Sequence, residues 1–279
     1  NADSKTKFHF GVAFNQDDDI AEPALLQRPG ATFYSVVGNY KTMQYGWYNK
    51  VFDTGKVSVL ALNAGYQNAD STVSNKQTFG LIASKKLGGI TFAGDFYYQT
   101  GEFAKNDVNA MLYGINATFK TSATPLTIGY EHISGKDDDD TSSEITNFSP
   151  DFGTNHAFNG LMDYFFVGPA NGNVGVSDFY VKSKFKVGEK GSLGAHVHQF
   201  LTGSTQLDES GSELSKTMGT EIDLVYTVKV SPEIKFNLGY SQMFATETME
   251  ALRGGDSSLF TNWAWAMITF KPTLFQSEK

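Results

Sequence analysis

Two histidines, His196 and His198, lie two positions apart in a segment of alternating polar and apolar residues. Residues two apart in an extended strand share one face, so both imidazoles would point to the same side. Such a pair can chelate a transition metal if a carboxylate adds a third ligand. The spacing does not identify that carboxylate, and the alternative is a pair of polar residues on a wet wall. That alternative is favoured, so no metal site is predicted.

Two runs of acidic residues, Asp17–Asp19 and Asp137–Asp140, could bind Ca²⁺ through carboxylate oxygens. Neither run has the alternating ligands and closing glutamate of an EF-hand, so a solvated acidic loop is favoured.

Catalytic motifs are not found in the sequence. Gly239–Met243 has the start of a nucleophile elbow but lacks its final glycine, and there is neither a Walker loop nor an HExxH motif. The chain has no cysteine, which excludes thiolate chemistry and disulfides. Its net charge is −8, and Arg28 and Arg253 are its two arginines, so no nucleic-acid partner is predicted. Neither an enzyme nor a cofactor is predicted.

The elements that carry these residues are extended segments rich in Phe, Tyr, Val and Thr. Phe8, Phe10 and Val12 alternate with polar residues in the first segment, and similar alternation recurs along the chain. About twelve segments are predicted, each near the 9–11 residues that a tilted membrane-spanning strand needs. They cover residues 5–14, 40–51, 56–66, 76–85, 89–99, 107–119, 125–134, 177–187, 191–202, 217–229, 233–245 and 262–271.

Short turns and long connections alternate strictly between these segments. The short turns are Phe52–Gly55, Lys85–Gly88, Lys120–Thr124, Gly188–Gly191 and Val230–Pro232, and the long connections are Asn15–Asn39, Gln67–Asn75, Thr100–Asn106, Gly135–Val176, Gly203–Lys216 and Thr246–Thr261. Outer-membrane barrels of Gram-negative bacteria have short periplasmic turns and long outer loops. No apolar run reaches the roughly 18 residues of a membrane helix, so lipid contact requires a closed barrel.

The fold prediction is therefore all-β: a transmembrane, antiparallel, up-and-down β-barrel in the cell outer membrane, with residues 1–279 as one domain or the C-terminal part of one. Outer-membrane lipid is the predicted partner of its apolar face. Aromatic residues near strand ends, including Trp47, Tyr97 and Trp265, predict an interfacial girdle. The alternative is that aromatic residues are simply frequent in β-strands.

Alternation predicts which polar side chains face the lumen. They are Asp95, Glu131, Tyr180, Lys182, Lys184, His198, Glu221, Asp223 and Lys235. Opposed charges across a pore create a transverse field that selects solutes, whereas the alternative is a solvated wall without selectivity.

The longest connection, residues 135–176, combines an acidic part with an apolar part around Phe152–Val167. So apolar a stretch needs a surface to cover. We expect it to fold inward as a constriction loop that includes Phe152, His156 and Asp163. The alternatives are an extracellular cap and a surface that docks a partner protein.

Several blocks of the chain resemble the alginate-export family of outer-membrane porins in its Bacteroidota form. They are Asp151–Gly168, Gly219–Thr227, Gly239–Gly255 and Asn262–Phe275. The resemblance implies a barrel of eighteen strands, of which this chain would supply about twelve and lack the N-terminal ones. It also implies a lumen lined by Arg and Lys, whereas the predicted wall here is mixed in charge.

The function predicted from these features is a passive pore for hydrophilic solutes, and the resemblance extends this to export of an anionic polysaccharide or oligosaccharide. The alternative is a barrel that serves as a membrane anchor or as a subunit of a larger cell-surface assembly, with protein partners.

Overall fold

The computed structural model describes residues 5–15, 40–121, 124–152, 158–166, 174–273 and 275. Twelve long strands, of 8 to 15 residues each, form one antiparallel sheet. Their bounds are β1 Thr6–Phe14, β2 Thr42–Phe52, β3 Gly55–Gln67, β4 Val73–Leu87, β5 Ile90–Phe103, β6 Asn106–Phe119, β7 Leu126–Ile133, β10 Val176–Val187, β11 Gly191–Leu201, β12 Thr217–Lys229, β13 Ile234–Ala245 and β14 Thr261–Phe270. Two short strands, β8 Phe158–Asn159 and β9 Phe165–Phe166, pair with each other.

Every long strand pairs with its neighbour in the chain, with β7 joined directly to β10 across the longest connection. This is the up-and-down antiparallel order predicted from the alternating turns, and all twelve predicted segments are confirmed. One predicted connection is wrong: Thr100–Asn106, predicted as long, is a two-residue turn at Ala104 and Lys105, because β5 continues to pair with β6 as far as Phe103. The alternation of short turns and long connections is therefore not strict. One short helix, α1 Glu247–Arg253, occurs in the described residues and lies in a long connection; its N-cap Thr246 accepts a hydrogen bond from the Met249 N–H.

The sheet does not close among the described residues: β1 pairs only with β2, and β14 only with β13. An open sheet is what the family resemblance implied for this chain alone, and the count of eighteen strands stays a prediction. No helix in the described part of the chain is long and apolar enough to cross a membrane.

The two faces of the sheet differ sharply in chemistry. One, called the apolar face below, exposes large hydrophobic side chains along nearly every strand. On β1 these are Phe8, Phe10, Val12 and Phe14, each 68–71% exposed. The opposite face, called the polar face below, carries most of the charged and amide groups. Sustained exposure of an apolar face of this size indicates that lipid or protein covers it.

Glycines on the polar face lie under aromatic rings of the adjacent strand. The directly opposed pairs are Gly11 with Tyr45, Gly80 with Tyr97, Gly129 with Tyr180 and Gly239 with Trp265. A Cβ added at any of these glycines would lie 2.1–2.6 Å from the partner ring. The ring therefore fills the space that a side chain would need, which is how sheets accommodate local bending. Trp47 also lies on this face, with its ring 4.9 Å from that of His9.

This arrangement corrects the predicted aromatic girdle in part. Trp47 and Tyr97 lie on the polar face, because each is two positions from a polar-face residue of its own strand, Tyr45 and Asp95 respectively. Trp265 lies there because it is directly opposite Gly239, which shares a face with Ser241. The period of two decides the face, so a position near a strand end does not by itself place a ring against lipid.

We predict that Gly80→Ala lowers the free energy of unfolding by about 1–3 kcal/mol, the usual range for overpacking. The new methyl group would meet the Tyr97 ring at 2.6 Å and the Leu60 Cβ at 3.3 Å. Gly46→Ala is the matched control, because a Cβ there meets nothing within 4 Å. Denaturant unfolding followed by circular dichroism measures both, and equal effects would contradict this account of the ring packing.

Candidate pore wall and its covering segment

Strand register places the predicted wall residues on one face, since directly opposed residues of antiparallel strands share a face. Asp95 on β5 lies directly opposite Gly114 on β6. Gly114 in turn lies opposite Glu131 on β7, and Glu131 lies opposite Asp178 on β10. Tyr180 aligns with His198 and Glu221, and Lys182 aligns with His196 and Asp223. Lys184 and Lys235 follow in the same alternation. All nine predicted residues thus lie on the polar face; their role in a pore stays a prediction.

The charges on this face are separated along the strands. Asp178, Glu221 and Glu131 lie in the half of the sheet nearer the long connections. Lys184 and Lys235 lie near the short turns and are exposed. The polar face thus has an acidic zone (Glu131, Asp178 and Glu221) nearer the long connections and a basic zone (Lys184 and Lys235) nearer the short turns.

The three carboxylates of the acidic zone form a group with His198 and with Asp223, which lies at the middle of β12. Glu221 and Asp223 are 0% exposed and Asp178 and His198 are 1% exposed, whereas Glu131 is partly exposed. Buried carboxylates must be compensated by hydrogen bonds, protons or cations.

Residues 158–166, called the covering segment below, supply part of that compensation. The Asn159 Nδ2 donates to Glu131 Oε1 at 2.8 Å and to Asp178 Oδ2 at 3.4 Å. The backbone N–H groups of Leu161 and Met162 both donate to Glu221 Oε1, at 2.6 and 2.8 Å. Charge-assisted bonds of this kind fix the segment against the polar face.

Gly160 makes this contact geometrically accessible. Its φ is +81°, which favours glycine, and a Cβ there would lie 2.5 Å from the Glu221 carboxylate. Further along, the Phe165 ring packs 4.4 Å from that of Phe200, and both residues are buried. The segment is thus held by polar contacts at one end and apolar contacts at the other.

A second anchor holds the same long connection to β3, β4 and β5. Lys76 Nζ lies 2.6 Å from Asp151 Oδ1, and both side chains are less than a tenth exposed. The Tyr66 hydroxyl donates to Asp151 Oδ1 at 2.8 Å, and the Lys76 ammonium lies over the Tyr66 and Phe103 rings. Gln99 Nε2 donates to the Ser149 carbonyl oxygen at 2.7 Å, and Ser149 N–H donates back to Gln99 Oε1.

Of the three residues predicted in the constriction loop, two lie in the described part of the chain. Phe152 is 46% exposed and packs edge-to-face on Tyr40, with ring centroids 5.1 Å apart. Asp163 lies in the turn between β8 and β9, with a φ of +65°. His156 lies outside the described residues.

The acidic run Asp137–Asp140 is bound to protein groups. Asp137 Oδ1 accepts the Thr205 N–H, and Asp138 Oδ2 accepts the Leu207 N–H at 2.9 Å. Hydrogen bonds from Ser142, with Lys136 nearby, hold the pKa of Asp140 below its usual value. The run thus ties two long connections together. The other run, Asp17–Asp19, lies outside the described residues.

Sequence reasoning missed several residues of this region: Asn159, Asp178, Lys76, Asp151 and the backbone donors of Leu161 and Met162. Asp178 had a signal, because it alternates with Tyr180 and Lys182 on the polar face. The contacts of the covering segment join residues about sixty positions apart, and no local pattern indicates such contacts.

Comparisons with known proteins add little to this geometry. No family model matches the chain, so the resemblance to the alginate-export family is not confirmed. No curated protein matches it either. Among solved structures, the chain is similar to one described as "NanC porin structure in rhombohedral crystal form". The identity is 13%, the alignment covers 82% of this chain and 94% of that one, and the TM-score is 0.39. The strand pairing itself remains the basis for the fold.

Proposed function

We propose that this chain forms the wall of an outer-membrane pore that conducts hydrophilic solutes passively. The observation that carries the proposal is the separation of the sheet into an exposed apolar face and a polar face that carries aligned charges. Transmembrane barrels have this arrangement, with lipid outside and water inside. Strands of 8 to 15 residues suit a tilted crossing of the bilayer.

In this proposal the covering segment lies in the lumen and narrows it. Its support is the set of hydrogen bonds to Glu131, Asp178 and Glu221, all on the polar face. Closure of the wall would use the edges of β1 and β14, which are unpaired among the described strands, because unpaired backbone groups are costly in lipid.

The solute class is the finer part of the proposal. The family resemblance implies an anionic saccharide, drawn in by a basic zone such as that of Lys184 and Lys235. The acidic zone opposes anions and favours cations. The balance between the two zones decides which solutes pass.

Planar-bilayer recording of the full chain tests the pore. We expect stepwise ion conductance, and a reversal potential in a KCl gradient that moves toward cation preference in Lys184→Gln/Lys235→Gln. Both lysines are exposed on the polar face, so neutralising them removes attraction for anions. An inserted protein without conductance would reject the pore and favour the second candidate, a membrane anchor or assembly subunit. That candidate rests on the same covering segment, which would then act as a plug.

A further inference from the structure

Three residues with metal-ligating side chains meet on the polar face where β11 and β12 pair. His196 lies directly opposite Asp223, and His198 lies two positions further along β11. One ligand atom from each residue can be chosen so that all three lie within 4.8 Å of one another. A tetrahedral ion with bonds of about 2.0–2.2 Å needs ligand atoms about 3.5 Å apart, so modest side-chain rotation would close the site.

The ring of His198 is already oriented for metal binding. Its Nδ1 lies 2.8 Å from Asp178 Oδ2, a contact that favours the tautomer with the proton on Nδ1 and the lone pair on Nε2. That Nε2 faces Asp223 Oδ2 at 3.9 Å. A carboxylate that holds the far nitrogen of a ligating histidine is a recurrent feature of zinc sites, because it fixes the tautomer and the ring orientation.

Asp223 offers a buried oxygen that lacks a donor among the described residues. Its Oδ1 accepts a hydrogen bond from the Ser241 hydroxyl, whereas its buried Oδ2 has no hydrogen-bond partner there. Two acceptors, this oxygen and His198 Nε2, thus face each other in a buried position. A proton or a metal ion can compensate such a buried pair, and a metal ion would do so by accepting both lone pairs.

The surrounding charge favours a cation. Asp178 and Glu221 are buried nearby, and each has one side-chain oxygen without a donor in the described part of the chain. Lys182, the cross-strand partner of His196, opposes a cation, but its ammonium lies over the Tyr180 ring, 4.3 Å from the centroid. His196 is partly exposed, which leaves an approach from the polar face.

We propose that His196, His198 and Asp223 bind one divalent first-row transition-metal ion, with Asp178 as a positioning residue. Two imidazole nitrogens and one carboxylate oxygen suit Zn²⁺, whereas Ca²⁺ and Mg²⁺ prefer oxygen ligands alone. Three protein ligands leave a fourth position for water. The site would join β11 to β12 beside the covering segment, and it does not depend on whether the polar face conducts solutes.

Titration of the full chain in detergent micelles tests the site, after dialysis against a chelator. Zn²⁺ binding is followed by calorimetry, and Co²⁺ binding by its visible absorption. We expect one equivalent to bind, with visible bands of tetrahedral Co²⁺. His198→Gln and Asp223→Asn should abolish that equivalent, and Asp178→Asn should weaken it about 10–100-fold, as for other residues that orient a ligand.

His132→Gln is the matched control. His132 is also a partly buried histidine on a strand, but its Nδ1 contacts the Ser177 hydroxyl. The His132→Gln variant should therefore leave metal binding unchanged. X-ray absorption of the zinc-loaded wild-type chain adds a measurement that needs no variant, and two imidazole ligands are expected. Absence of imidazole scattering, or binding that survives both His196→Gln and His198→Gln, would overturn the proposal. Conductance is not used as a readout, so failure here leaves the pore proposal unaffected.

Discussion

Deleting Asp151–Gly168 should raise single-channel conductance by at least roughly twofold, because conductance follows the narrowest cross-section of a pore. The deletion removes the covering segment and its bonds to Glu131, Asp178 and Glu221. It also removes Asp151 from its contact with Lys76, so the variant should carry Lys76→Met to avoid a buried unpaired charge. Single-channel recording of the inserted barrel gives the result. Unchanged conductance would reject the constriction and leave an outer cap or a docking surface.

A point variant isolates the covering segment from the rest of the deletion. Gly160→Ala should also raise conductance, because the methyl group would displace the segment from Glu221. Gly211→Ala is the matched control: it has the same φ of +81°, but a Cβ there meets nothing within 4 Å. Both variants thus place a side chain at the same positive φ, and only the first should change the pore. Similar conductance in both would show that the Gly160 contact does not control the passage.

Asp151→Ala should lower the free energy of unfolding by about 3–5 kcal/mol, the range for breaking a buried ion pair from one side. The change leaves Lys76 charged and enclosed, with only the weak Ser149 carbonyl contact at 3.4 Å and the Tyr66 and Phe103 rings around it. The Tyr66 hydroxyl also loses its acceptor. Denaturant titration in micelles measures the loss.

Two further variants separate the buried charge from other effects of the substitution. Lys76→Met/Asp151→Asn removes both charges and keeps an acceptor for Tyr66, so it should recover most of the loss. Asp53→Ala breaks the Lys5–Asp53 pair, which has the similar length of 2.8 Å but is 56% and 89% exposed, and should have no measurable effect. If the double variant is as unstable as Asp151→Ala, then the uncompensated charge of Lys76 is not the cause.

The sheet could be predicted from the sequence because its two determinants are local. Alternation such as Phe8, Phe10 and Val12 reports the face of a strand directly, and short turns fix the register of the strands they join. The Gly188–Gly191 turn, for example, already places Tyr180 opposite His198 and Lys182 opposite His196.

The arrangement around Asp223 could not be predicted in the same way. His196 meets Asp223 across the long connection Gly203–Lys216, which leaves the register of β11 and β12 open. The β8–β9 pair and α1 were missed because each has few residues and depends on tertiary contacts for its stability. Glu221 was predicted as a wall residue, but its backbone donors come from the covering segment, whose path no periodicity describes.

The positions of the tryptophans decide what the intrinsic fluorescence of this protein reports. The chain has three tryptophans. Trp47 lies on β2, next to β1, and Trp263 and Trp265 lie on β14; β1 and β14 are the two edge strands of the sheet in the described part of the chain. Emission therefore follows the assembly of the two margins, whereas the strands from β3 to β13 contain no tryptophan of their own. Refolding followed by tryptophan fluorescence would therefore report the rate at which the strands at the two edges of the sheet form. The formation of the central strands needs a different probe.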